Sequence, residues 1–205
     1  MPTPTRTGPA EPKQQRAIAT RRRLLDAAVD ELVASGYVRL TTSAVAHRAG
    51  VSRGAQQHYF PHKELLIAEA VHHLAERQTD ELAARIAVAP RGRARAEQAL
   101  DIIFEQYSGR LFAAMVELAL AARAEPSLQP IVAREERMLS RAVQDAGADV
   151  LGPETAGRRD FARRWATAVS TARGLAMLRL LGHPAETVER QWAHARRDVL
   201  RLLLE

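Results

Sequence analysis

The chain has 205 residues, 46% of them hydrophobic, and no cysteine. That length holds one large or two small domains with an ample core. The missing thiols exclude a disulfide framework, a thiolate metal site and a cysteine nucleophile.

No apolar run approaches the ~18 residues that span a membrane. The opening MPTPTRTGPAEPKQ has no apolar stretch of the kind an export signal carries, and Asp26, Asp30 and Glu31 interrupt the segment after Arg21, Arg22 and Arg23. The expectation is a soluble cytoplasmic protein with no membrane partner. Its charge is divided unevenly. The net charge of +6 lies wholly on residues 1–63, which hold ten Lys and Arg against four Asp and Glu, while residues 64–205 hold twenty of each. A basic segment of this kind suits a phosphate-rich partner, for which phosphate neutralisation supplies the sequence-independent affinity.

Residues 1–13, rich in proline and poor in apolar side chains, read as a disordered arm, either solvated or inserted in a minor groove. A long amphipathic helix is predicted from about residue 14, with Ile18, Leu25, Ala28, Val29 and Leu32 at helical spacing. Its arginines lie on the other faces.

Residues 41–63, TTSAVAHRAGVSRGAQQHYFPHK, read as two short helices joined by a tight turn. Thr41 caps the first helix, and Gly50 ends it in the left-handed conformation that glycine adopts without penalty. Val51 points to the core, Ser52 caps a second helix over residues 53–59, and Pro61 stops it. This is a helix-turn-helix, in which the second helix enters the major groove. Thr42 and Ser43 offer backbone N–H groups and hydroxyls to phosphates. Gln57, His58 and Tyr59 follow on the exposed side, and a glutamine can read adenine by a bidentate bond.

The run VAHRAGVSRGA, the run HYFPHKELL and the upstream LLDAAVDELVASGY together resemble the DNA-binding signature of the tetracycline-repressor (TetR) family over about residues 24–66. The resemblance implies base contact by Arg53 and Ala55, and phosphate contact by Tyr59 and Lys63. Two positions depart from the family pattern: Gln56 stands where an apolar residue is usual, and Gln57 where a tyrosine is common. Gln56 is either buried with a hydrogen-bond partner or exposed on a slightly rotated helix.

Beyond residue 63 the pattern is helix after helix: residues 64–86, 94–107, 110–123, 127–146, 158–181 and 185–204. A loop is predicted over 147–157, and no stretch has strand periodicity. The class is all-α, with an N-terminal three-helix helix-turn-helix unit (14–63) and a larger helical domain (64–205). In the resembled family the second domain binds small inducers and dimerises. Phe104, Tyr107, Phe112, Met115, Leu118 and Met138 are the candidates for a ligand cavity, the alternative being plain core. Glu117, inside the apolar run AAMVELALAA, is expected to pair with an arginine, the alternative being a polar group of a ligand.

Phe161, Trp165, Ala168, Ala172 and Leu175 recur at helical spacing, as do Val188, Trp192, Ala195 and Val199. The pattern serves a dimer interface or an intramolecular core equally, and only the resemblance favours dimerisation. The seven histidines form no metal-ligating cluster, since Pro61 separates His58 from His62 and adjacent His72 and His73 point about 100° apart. No cofactor and no catalytic constellation is read. The resemblance implies a homodimeric transcriptional regulator, usually a repressor, that binds a pseudo-palindromic operator and is released by a small-molecule effector. A ligand-independent DNA-binding or architectural protein is the alternative.

Overall fold

The computed structural model describes residues 13–88 and 93–205, so the expected arm at 1–13 lies outside them except for Lys13. The described residues fold into helices α1 (Lys13–Arg39), α2 (Thr42–Ala49), α3 (Arg53–Tyr59), α4 (Lys63–Ala87), α5 (Arg93–Tyr107), α6 (Arg110–Ala121), α7 (Gln129–Ala156), α8 (Phe161–Leu180) and α9 (Ala185–Leu204). A 3₁₀ turn, Pro126–Leu128, precedes α7. Among the described residues there is no strand, and no helix is long and apolar enough to cross a membrane.

Leu24, Leu25, Ala28, Val29 and Leu32 of α1 are buried, as their spacing predicts. Ile18 corrects that prediction at 62% exposed. Residues 14–19 are exposed apart from half-buried Ala17, so the apolar periodicity of α1 starts two turns before there is anything to pack against. Near its other end Gly36 takes φ 73°, a left-handed value that suits glycine. The chain bends there and delivers Tyr37 into the core.

Two apolar clusters fill the molecule. The first joins α1, Val45 of α2, Phe60 and the first half of α4 to Leu111, Ala114, Met115 and Leu118 of α6. The second lies among α5, α7, α8, α9 and the end of α4. The core therefore does not break at residue 63: α6 completes the interior of the N-terminal unit. An ion pair between Arg110 and Asp30 at 2.5 Å ties the same two helices together.

Most of the loop expected at 147–157 is instead helix, which runs to Ala156 with a bend at Gly152. Gly147 lies inside α7 because Trp165 of α8 crosses directly over it; a Cβ there would stand 2.4 Å from Trp165 Cε2. The glycine marks a close approach between helices, and the chain turns only at Gly152, with φ 78°.

Most of the candidate dimer residues are enclosed within a single chain. Trp165, Ala168, Ala172, Val188, Trp192 and Val199 are buried within one chain, and Phe161, Leu175 and Ala195 pack against the same cluster. Both indoles find partners inside it. Trp165 Nε1 donates to the Val143 carbonyl at 3.0 Å, and Trp192 Nε1 donates to Asp101 at 2.7 Å. The small residues of α8 let α5 and α9 approach it, so the pattern serves intramolecular packing.

Candidate nucleic-acid interface

The helix-turn-helix forms from the residues that announce it. Thr41 Oγ1 accepts from Ala44 N at 3.1 Å and starts α2. Gly50, at φ 62°, bonds its N–H to His47 O at 3.1 Å, and Val51 N reaches Ala46 O at 3.0 Å. Those two bonds satisfy carbonyls that the helix end would otherwise leave unpaired. Ser52 Oγ then accepts from Ala55 N at 3.2 Å and starts α3.

On the outer surface Arg53 Nη2 donates to Ser43 Oγ at 2.9 Å. This bond brings the first residue of α3 beside the N-terminus of α2, where Thr42 and Ser43 are half-buried. Gln57 and His58 are exposed on the same short helix, and Ala55 is half-buried. Tyr59 corrects the expectation of an exposed side chain: it is half-buried and packs against the first core cluster, with the His58 ring edge-on at 5.4 Å. Lys63 is also engaged, donating to Tyr37 O at 2.6 Å with its ammonium 3.9 Å from the centre of the Tyr37 ring. Burial, with the Glu64 and Glu125 carboxylates nearby, raises the Tyr37 hydroxyl well above its ordinary pKa.

Gln56 is buried, 5% exposed, and donates from Nε2 to Phe60 O at 2.7 Å. It is part of the support of α3. Sequence reasoning missed the braces behind the motif. Arg48 of α2 meets Glu31 of α1 at 2.8 Å, and Arg21 of α1 meets Glu69 of α4 at 2.6 Å. Hydrogen bonds from Arg48 and then Ser35 hold the Glu31 carboxyl below its usual pKa. Seventeen residues separate Arg48 from Glu31, so no helical spacing signals the pair.

Residues 24–70 match the family described as bacterial regulatory proteins, tetR family. The HTH-type transcriptional regulator CymR of Pseudomonas putida is 31% identical over 176 residues, covering 86% of this chain and 87% of CymR. The chain belongs to the TetR family. It is a transcriptional regulator with a DNA-binding domain. Among solved structures, a transcriptional regulator from Rhodococcus sp. RHA1 is 28% identical with a TM-score of 0.67, covering 90% of this chain and 95% of that one. The regulator FadR of Bacillus subtilis, in complex with stearoyl-CoA, shares the fold at 15% identity, with a TM-score of 0.67 over 89% and 97% of the two chains.

In this TetR-family chain a cavity of ≈ 40 Å³ lies among α4, α5, α6, α7 and α8. Tyr107, Phe112 and Met115 line it. The other three ligand candidates do not. Phe104 stacks on Trp192 at 4.7 Å, Leu118 is fully buried in the first cluster, and Met138 faces an open groove between α4 and α7 with Arg134 and Arg141. No spacing in the sequence signals the cavity's charged pair. Arg173 of α8 grips both oxygens of Glu136 of α7 at 2.7 and 3.1 Å. Glu117 forms no ion pair among the described residues, which corrects the expected arginine partner; its Oε2 lies instead against Gly36, 3.2 Å from where a Cβ would stand. Packing of α6 on the bend of α1 places it there. No group of three or more potential metal ligands occurs among the described residues.

Proposed function

We propose that this chain is a ligand-responsive repressor that binds a pseudo-palindromic operator as a homodimer and is released by a small-molecule inducer. Residues 14–63 form its DNA-binding unit, and residues 64–205 form its effector and dimerisation domain. It acts in the cytoplasm. Arg53 and Gln57 read base edges, with Ala55 against a thymine methyl and His58 beside them. Thr42, Ser43, Tyr59 and Lys63 hold phosphates. Lys63 has donors to spare for this, because the Tyr37 carbonyl takes one of the three on its ammonium.

The observation that supports release by an inducer is the double role of α6. Leu111 and Met115 line the cavity and also belong to the apolar cluster that contains α1. A ligand that displaces these side chains disturbs the packing of the DNA-binding unit directly, and α4 carries the same movement through Gln78, which also lines the cavity. The two units of a dimer then no longer meet half-sites one helical turn apart, about 34–36 Å. Driving the equilibrium from 1:99 to 99:1 takes about 5.5 kcal/mol of ligand preference for the released state.

Dimerisation uses the outward side of α8, where Ala162, Ala166, Ser170 and Gly174 are exposed and Leu180 and Leu181 stand at 45% and 69% exposure. A small cavity also suits the second reading, a DNA-binding protein that needs no ligand. Binding to a fluorescent duplex of the intergenic DNA beside its own gene, across a salt series, tests the DNA contacts. Arg53→Ala is expected to relax sequence preference by about 1–3 kcal/mol at one base pair. Lys63→Ala is expected to weaken all sequences and flatten the salt slope by about one unit. Weak, sequence-blind binding by all three proteins favours the second reading.

A further inference from the structure

The effector cavity is electrically closed. Arg173 and Glu136 line it with side chains 44% and 39% exposed, and each satisfies the other through two hydrogen bonds. The guanidinium is also held against two aromatic rings, with Tyr107 at 5.8 Å and Phe112 at 5.9 Å. The rest of the lining is mainly apolar, with Met115 and Val143 in it, and its polar residues Gln78, Gln106 and Ser140 are uncharged.

We propose that the effector is a small, uncharged, mainly apolar molecule with a single hydrogen-bonding group, of the size and type of an alkylphenol. The inference rests on the reading of this cavity as the effector site. A carboxylate ligand has to take Arg173 from Glu136, which leaves an unpaired carboxylate beside an apolar wall. An ammonium ligand has to take Glu136 from Arg173 and strands the cation in the same way. Breaking the pair by removing one partner leaves a charge that water meets only in part, so the cost is a fraction of that for a buried pair. A neutral ligand disturbs neither group, and a glutamine amide or a serine hydroxyl suffices for its one polar atom. Size points the same way. A volume of ≈ 40 Å³ is far below the ~300–1,000 Å³ of drug-sized sites, so any ligand requires the walls to give, and a small one requires it least.

The test is calorimetric titration of the full chain at neutral pH with three probes of matched size: 4-methylphenol, 4-methylbenzoate and 4-methylbenzylammonium. Wild type is expected to bind the phenol about tenfold or more tighter than either charged probe. Ser140→Phe, which fills the cavity from an exposed position, is expected to abolish that binding. Glu136→Gln leaves Arg173 uncompensated and is expected to raise benzoate affinity about tenfold; Arg173→Gln is expected to do the same for the ammonium. Wild-type preference for a charged probe, lost in Ser140→Phe, overturns the ligand class and leaves the cavity as the effector site. Binding of no probe, or binding that Ser140→Phe leaves intact, overturns the cavity reading itself and this inference with it.

Discussion

Gln56 turns its amide inward and donates to Phe60 O at 2.7 Å, four residues along and just past the end of α3. A polar side chain on the buried side of a seven-residue helix thus becomes a C-terminal clasp, because an amide can satisfy a carbonyl that an apolar residue would leave unpaired. Gln56→Ala is expected to destabilise the protein by about 1–3 kcal/mol, read from urea unfolding, and to leave sequence preference on DNA unchanged. Glu31 makes a different kind of prediction. Its folded pKa lies below the ordinary 4.5, chiefly through the hydrogen bond from Arg48. A carboxylate depressed in this way adds stability above its unfolded value and loses it as pH falls through the folded one. Urea midpoints of the wild type are therefore expected to fall more steeply than those of Glu31→Gln below about pH 4.5, with the two profiles parallel above about pH 6.

At the level of single helices, glycines carry two different messages that look identical in one dimension. Gly50 ends α2 with a left-handed φ of 62°, and the helix stops where the sequence says it does. Gly147 is in the middle of α7 and is small because Trp165 lies on it. Gly147→Ala is expected to cost about 1–3 kcal/mol in denaturant unfolding, the range for overpacking, although alanine is the better helix former. An unchanged or raised midpoint would show that Trp165 can move aside. The periodicity of α8 and α9 has the same ambiguity. Trp165 and Trp192 repeat as an interface would, yet their N–H groups bond to Val143 O and Asp101, partners inside the chain. Arg196 joins Asp101 in that network.

Across the protein as a whole, the question is which surface remains for a second copy once those residues are taken inside. On the proposed outward face of α8 a Cβ at Gly174 meets nothing within 4 Å, so a large side chain is accommodated by a single chain. Gly174→Arg is expected to keep the helical fold, read by circular dichroism, while sedimentation shifts from dimer to monomer and operator affinity falls. A variant that stays dimeric removes this face from consideration. The core shared by α1 and α6 bears on coupling too: with Leu118 and Met115 belonging to the interior of the DNA-binding unit, the two functional parts are one packed body. On the proposed reading, coupling between cavity and DNA needs no hinge, only a displacement of α6.

Most of the helices, the caps of α2 and α3 and the helix-turn-helix are legible in the chain before it folds, because capping, glycine termination and proline exclusion act over three or four residues and need no distant partner. The family is legible for the same reason, since its signature is a local run. Which apolar stripes are core, where Gln56 and Glu117 point, and that Glu136 meets Arg173 across 37 residues emerge only once the helices are packed. Those are contacts between helices. A helical period says which side chains share a face, but not what that face is pressed against.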